Sequence, residues 1–533
     1  MESAEPTESR TPHIKFDSFP RFKENWKNSL IENASTSSNE FPDYHISDPE
    51  ASLVSSSHVR SFQLGTGASI YTQSLIPAIL GAKHEILFVT CFWAASPTLS
   101  ALKEALEKLA EERRERIHSS SPHGNAVSPL KIRICFSSRS LFQKLFHTSS
   151  KDGYVYPSST WSKKLGLPSP DVLDAGLIDI RVKTLFFLPF SIVHPKFLII
   201  DRQRAWLPSC NVSWEAWLEG CIEISGNAVA GVVEFYRHVW DQQLEDQLTA
   251  GINSDDGSES SREFELTSVP SPANLFETSF PGVETPTVLL PSSHHRNPRF
   301  DLIPWHNSPS PPPTPLNYAV LQLIDMAEHF IYIQTPNLTA SVVVDKLLEA
   351  LQRGVNVAIV TSKNLMVLEQ IFTAGTTTSF SLRSLIQKYR KLEAQQSRSK
   401  TSLSGEDSRR DIDVEAQRPS LGFLTIDYFR PDPEREGDST ADGAVEEPVQ
   451  SHLKLTLVDA QYIVLGSGNL DRPSWYTSQE FGILFHSHEI ATTIGAAVGN
   501  VLASRRESVF SSAADDQLGR QSSQEDINQP EPQ

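Results

Sequence analysis

The stretch that decides the fold is SHLKLTLVDAQYIVLGSGN, residues 451–469. It reads as a β-hairpin, yet His452 and Lys454 interrupt an otherwise apolar strand two positions apart. Side chains alternate faces along a strand, so these two share one face. A second stretch, SIVHPKFLIIDRQRAWLPSCN at 191–211, repeats the pattern. His194 matches His452, Lys196 matches Lys454, Asp201 matches Asp459 and Asn211 matches Asn469, each at an offset of 258 residues. Folding each stretch about its midpoint predicts turns at 201–204 and 459–462, with Asp at the first turn position, where it is favoured. Each Asn then lies across from its His, and the Asp anchors the turn.

Histidine, a fixed cation and an amide on one face suit a tetrahedral anion. Lys and Asn can donate to phosphoryl oxygens while a neutral imidazole attacks phosphorus. Two such patches facing each other supply a nucleophile on one side and an acid for the leaving group on the other. Beyond each Asn lies an acid, Glu219 in WLEGCIEI and Glu480 in SQEFGILF, at matching places if the second copy carries a three-residue insertion. Such a carboxylate can hold an imidazole in its attacking tautomer.

The repetition extends outward into an α/β layered arrangement. AKHEILFVTCFW (82–93) aligns with AEHFIYIQTPNL (327–338), LKIRICFSS (130–138) with VNVAIVTSK (355–363), and IDIRVKT (178–184) with TIDYFRP (425–431). Apolar residues at helical spacing follow the first strand of each block, Leu99, Leu102, Leu106 and Leu109 in one and Val344, Leu347, Leu348 and Leu351 in the other. Alternating strand and helix argue layers of both.

Around these blocks the chain of 533 residues is acidic, with net charge −18. That charge is concentrated at 244–300 (−6), 395–450 (−6) and 507–533 (−5), which leaves the apolar blocks near neutrality. The organisation expected is an irregular extension at 1–59, a first lobe at 60–243 and an acidic, proline-rich linker at 244–315. A second lobe at 316–505 follows, with irregular insertions near 394–420 and 432–450, then an acidic tail at 506–533. Cys91, Cys135, Cys210 and Cys221 show no metal-ligand spacing and read as reduced core thiols. Neither a secretory signal nor a membrane-spanning run is apparent, so a cytoplasmic protein is expected, peripheral to a membrane at most.

HPKFLIID and HLKLTLVD both fit H-x-K-x4-D, and GSGN at 466–469 fits the element that follows it. In these motifs the chain resembles the phospholipase D superfamily, and GSGNLDRPSWYTSQE is similar to the second motif of phospholipase D and cardiolipin synthase enzymes. The resemblance implies two similar lobes, each a mixed sheet flanked by helices, packed with pseudo-two-fold symmetry around one active site. It also implies a phosphohistidine intermediate with no cofactor or metal requirement. Carried over by position, His194 is the nucleophile and His452 the general acid. Lys196, Lys454, Asn211 and Asn469 hold the phosphate, and Asp201 and Asp459 complete the motifs. The expected substrate is a phospholipid, hydrolysed or transferred at its phosphatidyl group. A nuclease on the same scaffold is the first alternative; EERRER (111–116), the one dense basic cluster, reads instead as a solvated helix face. A silent lipid- or anion-binding protein is the second, prompted by PSCN in the first copy where small residues are expected. TLFFLPFSIV (184–193) reads either as a buried central strand or, if part of it is a loop at the cleft mouth, as placing Phe186, Phe187 and Phe190 to touch a bilayer.

Overall fold

The computed structural model describes residues 18–34, 44–119, 127–140, 153–187, 191–244, 271–292, 310–402, 420–435 and 446–512. In the first half, β1 (Val54–Thr66), β2 (Glu85–Phe92), β3 (Leu130–Ser138), β4 (Ile178–Thr184), β5 (Phe197–Ile200), β6 (Arg204–Pro208) and β7 (Trp217–Ser225) form a mixed sheet. Its order is β4-β3-β2-β5-β6-β7-β1, with β2, β3 and β4 parallel and the other pairs antiparallel. A short strand, β8 (Asn274–Ser279), pairs with β1 at 61–65.

The second half repeats this arrangement strand for strand. Here β9 (Glu284–Ser292), β10 (Phe330–Thr335), β11 (Asn356–Ser362), β12 (Leu424–Phe429), β13 (Leu455–Val458), β14 (Tyr462–Gly466) and β15 (Glu480–His486) run in the order β12-β11-β10-β13-β14-β15-β9. The two halves join where β1 and β9 pair antiparallel, from Val54↔Val288 to His58↔Glu284. One mixed sheet therefore runs through both. Central strands β5 (FLII) and β13 (LTLV) are buried at every position, Thr456 included, which is why they read as nearly continuous apolar runs rather than as alternation.

Several segments expected to be irregular carry structure. Within 1–59, helix α1 (Ser18–Asn33) buries Phe22, Trp26 and Leu30, spaced four apart on one face. Trp26 Nε1 also donates to Pro315 O at 3.0 Å, docking α1 on the helix that opens the second half. Each such side chain gains about 1.5–3 kcal/mol from leaving water, enough to hold a helix of low intrinsic propensity. The linker expected at 244–315 supplies β8 and β9, whose apolar run TVLLP outweighs the acids around it. At the tail, β16 (Arg506–Ser511) pairs with β12, and a helix spans Thr378–Ser402, into the expected insertion. The rest of the irregular calling, at 1–17, 35–43, 245–270, 293–309, 403–419, 436–445 and 513–533, lies outside the described residues.

Both hairpins turn one register step tighter than midpoint folding gives. Ile200 pairs with Arg204 instead of Ala205, and Val458 with Tyr462 instead of Ile463. Asp201 and Arg202 have φ of 52° and 55°, Asp459 and Ala460 of 51° and 52°. Gln203 N–H donates to Ile200 O and Gln461 N–H to Val458 O, each at 3.0 Å. This is the hairpin turn with both central residues left-handed, normally reserved for Asn-Gly or Asp-Gly. The aspartates make it tolerable here. Asp201 accepts backbone N–H bonds from Lys83, His84 and Glu85 at 2.9, 2.7 and 2.8 Å. Asp459 accepts from Glu328, His329 and Phe330 at 2.8, 2.9 and 2.8 Å. Both carboxylates are engaged by backbone, and they pin each turn to the start of β2 or β10, as the motif's Asp was expected to anchor it.

Candidate active site

Each motif leans on the other half of the molecule. His194 N–H donates to Gln479 O at 3.0 Å, and His452 N–H donates to Leu218 O at 2.9 Å. Val193 forms a parallel bridge with Gln479, and Gln450–Ser451 pairs parallel with Trp217–Leu218. The next residue in each case is the glutamate singled out above. His194 Nδ1 lies 2.8 Å from Glu480 Oε2, and His452 Nδ1 lies 2.8 Å from Glu219 Oε1. Each half thus supplies the carboxylate for the other half's imidazole.

The carboxylates are themselves fixed. Glu219 accepts from Ser209 Oγ, and Glu480 accepts from Ser467 Oγ at 2.5 Å and Ser474 Oγ at 2.7 Å. Gly220 N–H and Phe481 N–H donate to the Ser209 and Ser467 hydroxyls in turn. The hydroxyls fix each carboxylate so that one of its oxygens faces Nδ1. Imidazole then donates through Nδ1–H, and the Nε2 lone pair is left for chemistry. Ser209 and Ser467 also stand 258 apart, a fifth pair that sequence reasoning passed over. Ser474 and Asp471 were missed as well; both lie between Asn469 and Glu480, where the second copy is three residues longer.

Burial sets the protonation states. The His194 and His452 side chains are largely buried. Burial lowers both imidazole pKa values, and the charges of Lys196 and Lys454 lower them further, against Glu480 and Glu219; His452 falls to about 4. Burial likewise brings Lys454 down to about 7, with Lys196 adding to the depression. Each lysine acts on the opposite half's histidine, so the two motifs form one electrostatic centre. Lys196 Nζ donates to His194 O at 2.9 Å and Lys454 Nζ to His452 O at 2.6 Å, which holds both ammonium groups beside the rings. Burial pushes the Glu219 carboxyl up, but His452, Lys454 and Ser209 outweigh it and the net shift is downward.

The asparagines differ between the halves. Asn211 Oδ1 accepts from Phe92 N–H at 3.2 Å. Asn469 instead donates through Nδ2 to Asp471 Oδ2 at 3.0 Å, and its Oδ1 is buried without a partner. Asp471 also accepts from Ser474 N–H at 2.9 Å, capping helix α2 (Arg472–Tyr476). The unusual Cys210 fits for a reason of volume. A Cβ on Gly67 would meet Cys210 Cβ at 3.1 Å, whereas a Cβ on Gly468, its counterpart, would meet Leu316 Cδ2 at 2.7 Å. The halves exchange bulk, Cys210 over Gly67 and Gly468 under Leu316.

Burial decides between readings of two segments. Phe186 is 3% exposed and packs inside, so it does not reach a bilayer; the side chains of Phe187 and Phe190 lie outside the described residues. Arg113, in the basic cluster, is 2% exposed and donates to the Gly176 and Ser128 carbonyls, so EERRER is not a wholly solvated face. Among the described residues no helix is long and apolar enough to cross a membrane, and no group of three His, Cys, Asp or Glu is placed to hold a metal ion.

Fold and site together define a duplicated α/β protein whose two H-x-K-x4-D hairpins share one centre. Residues 320–499 match the family model described as cardiolipin synthase, PLD-like domain. The second half is therefore similar to the phospholipase D-like domains that this model describes. Among solved structures it is similar to phosphatidylserine synthase of Haemophilus influenzae Rd KW20, at 14% identity over 92% of this chain and 91% of that one, with a TM-score of 0.48. It is also similar to Nuc, a phospholipase D family member of Salmonella typhimurium, at 15% identity over 36% and 90%, with a TM-score of 0.22. No curated protein matches the chain.

Proposed function

We propose that this protein is a phosphodiesterase of the phospholipase D type, which hydrolyses or transfers a phosphatidyl group through a phosphohistidine intermediate. The observation that carries this reading is the pair of crossed His–Glu contacts at 2.8 Å. They prepare two neutral imidazoles whose Nε2 atoms are free to act. His194, the more exposed of the two side chains, attacks phosphorus. Lys196, Lys454 and Asn211 Nδ2 donate to the non-bridging oxygens, where charge builds in the transition state. The bound anion raises the pKa of His452, which then protonates the leaving oxygen. In the second step His452 takes a proton from water or an alcohol, and the phosphoryl group leaves His194.

A lipid is favoured over nucleic acid by the cardiolipin synthase-type match over the second half. The test is turnover of labelled phosphatidylcholine, phosphatidylglycerol and single-stranded DNA in chelator, with the phosphoryl group mapped by mass spectrometry. Lipid turnover with phosphate on His194 is expected. DNA cleavage without lipid turnover would replace this reading with a nuclease, and no turnover of either would leave a binding protein.

A further inference from the structure

The two asparagines are turned in opposite senses, and the difference bears on what attacks the intermediate. Asn211 has its oxygen occupied by Phe92 N–H, so it offers N–H groups. Asn469 has its amide plane fixed by Asp471, which takes one N–H at 3.0 Å, and it turns a buried, unpartnered oxygen the other way. An unpaired buried acceptor is costly, and a ligand that donates to it recovers that cost. Asn469 and Lys454 are polar members, with Gln334 and Thr335, of the lining of a narrow and otherwise mostly apolar cavity beside the motif, with room for about one water or hydroxyl.

We propose that Asn469, positioned by Asp471, accepts a hydrogen bond from a second donor on the group that attacks the phosphohistidine. This rests on the reading given under Proposed function. In the second step the attacking oxygen forms a P–O bond, the P–Nε2 bond breaks, and its electron pair returns to His194. The attacker's proton passes to His452 Nε2. That O–H is consumed, so the hydrogen received by Asn469 Oδ1 belongs to another group. Water has one; so does an alcohol with a neighbouring hydroxyl or amino group. A monohydric alcohol has none. Two residues beyond Asn211 the first half has Ser213 where the second half has Asp471, so the preference is built into one side only.

The experiment measures products formed from a labelled phospholipid in water with glycerol or 1-propanol as competing acceptor. Wild type is expected to use glycerol at least about tenfold better than 1-propanol. Asn469→Ala brings the two acceptors within about twofold, while Asn211→Ala raises the KM of the phospholipid and keeps the glycerol preference. Asp471→Ala loses the preference through the KM of glycerol, and Asp471→Asn, which retains an acceptor oxygen, restores it. Should Asp471→Ala not fold, the two asparagine variants decide alone. A wild-type protein indifferent to the two alcohols, or an Asn469→Ala variant that keeps its preference, overturns this inference only. Absence of turnover with any phosphodiester overturns the proposed function and this inference with it.

Discussion

Replacing the two glutamates by glutamine, one at a time, separates the roles of the two histidines. Each substitution keeps shape but removes the charge 2.8 Å from one Nδ1. At an effective dielectric of about 20, a unit pair at that distance interacts by about 6 kcal/mol, an upper limit for the imidazolium form. Loss of the orienting carboxylate in a comparable triad costs about 10⁴ in rate, or about 5.5 kcal/mol. Ser209, Ser467 and Ser474 still hold the glutamine in place, so a fall of about 10³–10⁴ in kcat is expected from each change. The assay is a phosphodiester with a p-nitrophenyl leaving group, followed on the stopped-flow timescale. Glu219→Gln disables His452, which a good leaving group does not need; it releases about one equivalent of nitrophenol and then stalls. Glu480→Gln disables His194 and gives no burst. A burst from Glu480→Gln and none from Glu219→Gln would invert the assignment of nucleophile and acid. Near-normal rates in either variant would refute the coupling across the two halves.

Three other outcomes follow from particular contacts. Lys454 sits at about 7 against an ordinary 10.5, and a bound anion favours its charged form, so binding takes up a proton above neutrality. Affinity for dimethyl phosphate should fall by up to about tenfold per unit between pH 7 and 9 in calorimetry, and Lys454→Ala should remove that slope. The same depression means that the unfolded chain binds the extra proton, so this group's contribution to stability rises with pH from 7 toward 10.5. Asp201→Ala orphans three backbone N–H groups and should cost about 3 kcal/mol in urea denaturation; Asp459→Ala, whose donors are more exposed, should cost about 1 kcal/mol. Gly468→Ala places a methyl 2.7 Å from Leu316 Cδ2 and should destabilise by about 1–3 kcal/mol, with Leu316→Ala recovering part of the loss.

Much of this architecture was legible because duplication turns weak signals into strong ones. One histidine two residues from a lysine means little; four polar pairs at offset 258 mark a repeated hairpin. The Ser209–Ser467 pair obeyed the same offset and was passed over, since serine is common enough to match by chance. What no reading of one half could supply was the crossing. Glu480 serves His194, not the His452 of its own half, because the strand bearing it starts beside Val193. Pairing across 286 residues leaves no trace in local pattern. The tight turns were hidden for another reason: Asp201 and Asp459 hold left-handed backbone through bonds to residues far along the chain, where glycine would have announced itself. Helix α1 was legible after all, as Phe22, Trp26 and Leu30, but the polar residues around them masked the stripe.

The exchange of carboxylates between halves has a consequence for any shortened form of this chain. A product of cleavage between the repeats would keep a histidine, a lysine and an asparagine, yet its imidazole would have no acid behind it and the wrong tautomer would be free to form. Such a piece is inert until another piece, or a second copy of itself, brings a glutamate to its histidine. Two separately made pieces, each carrying what the other lacks, would recover chemistry only by docking along the seam of β1 and β9.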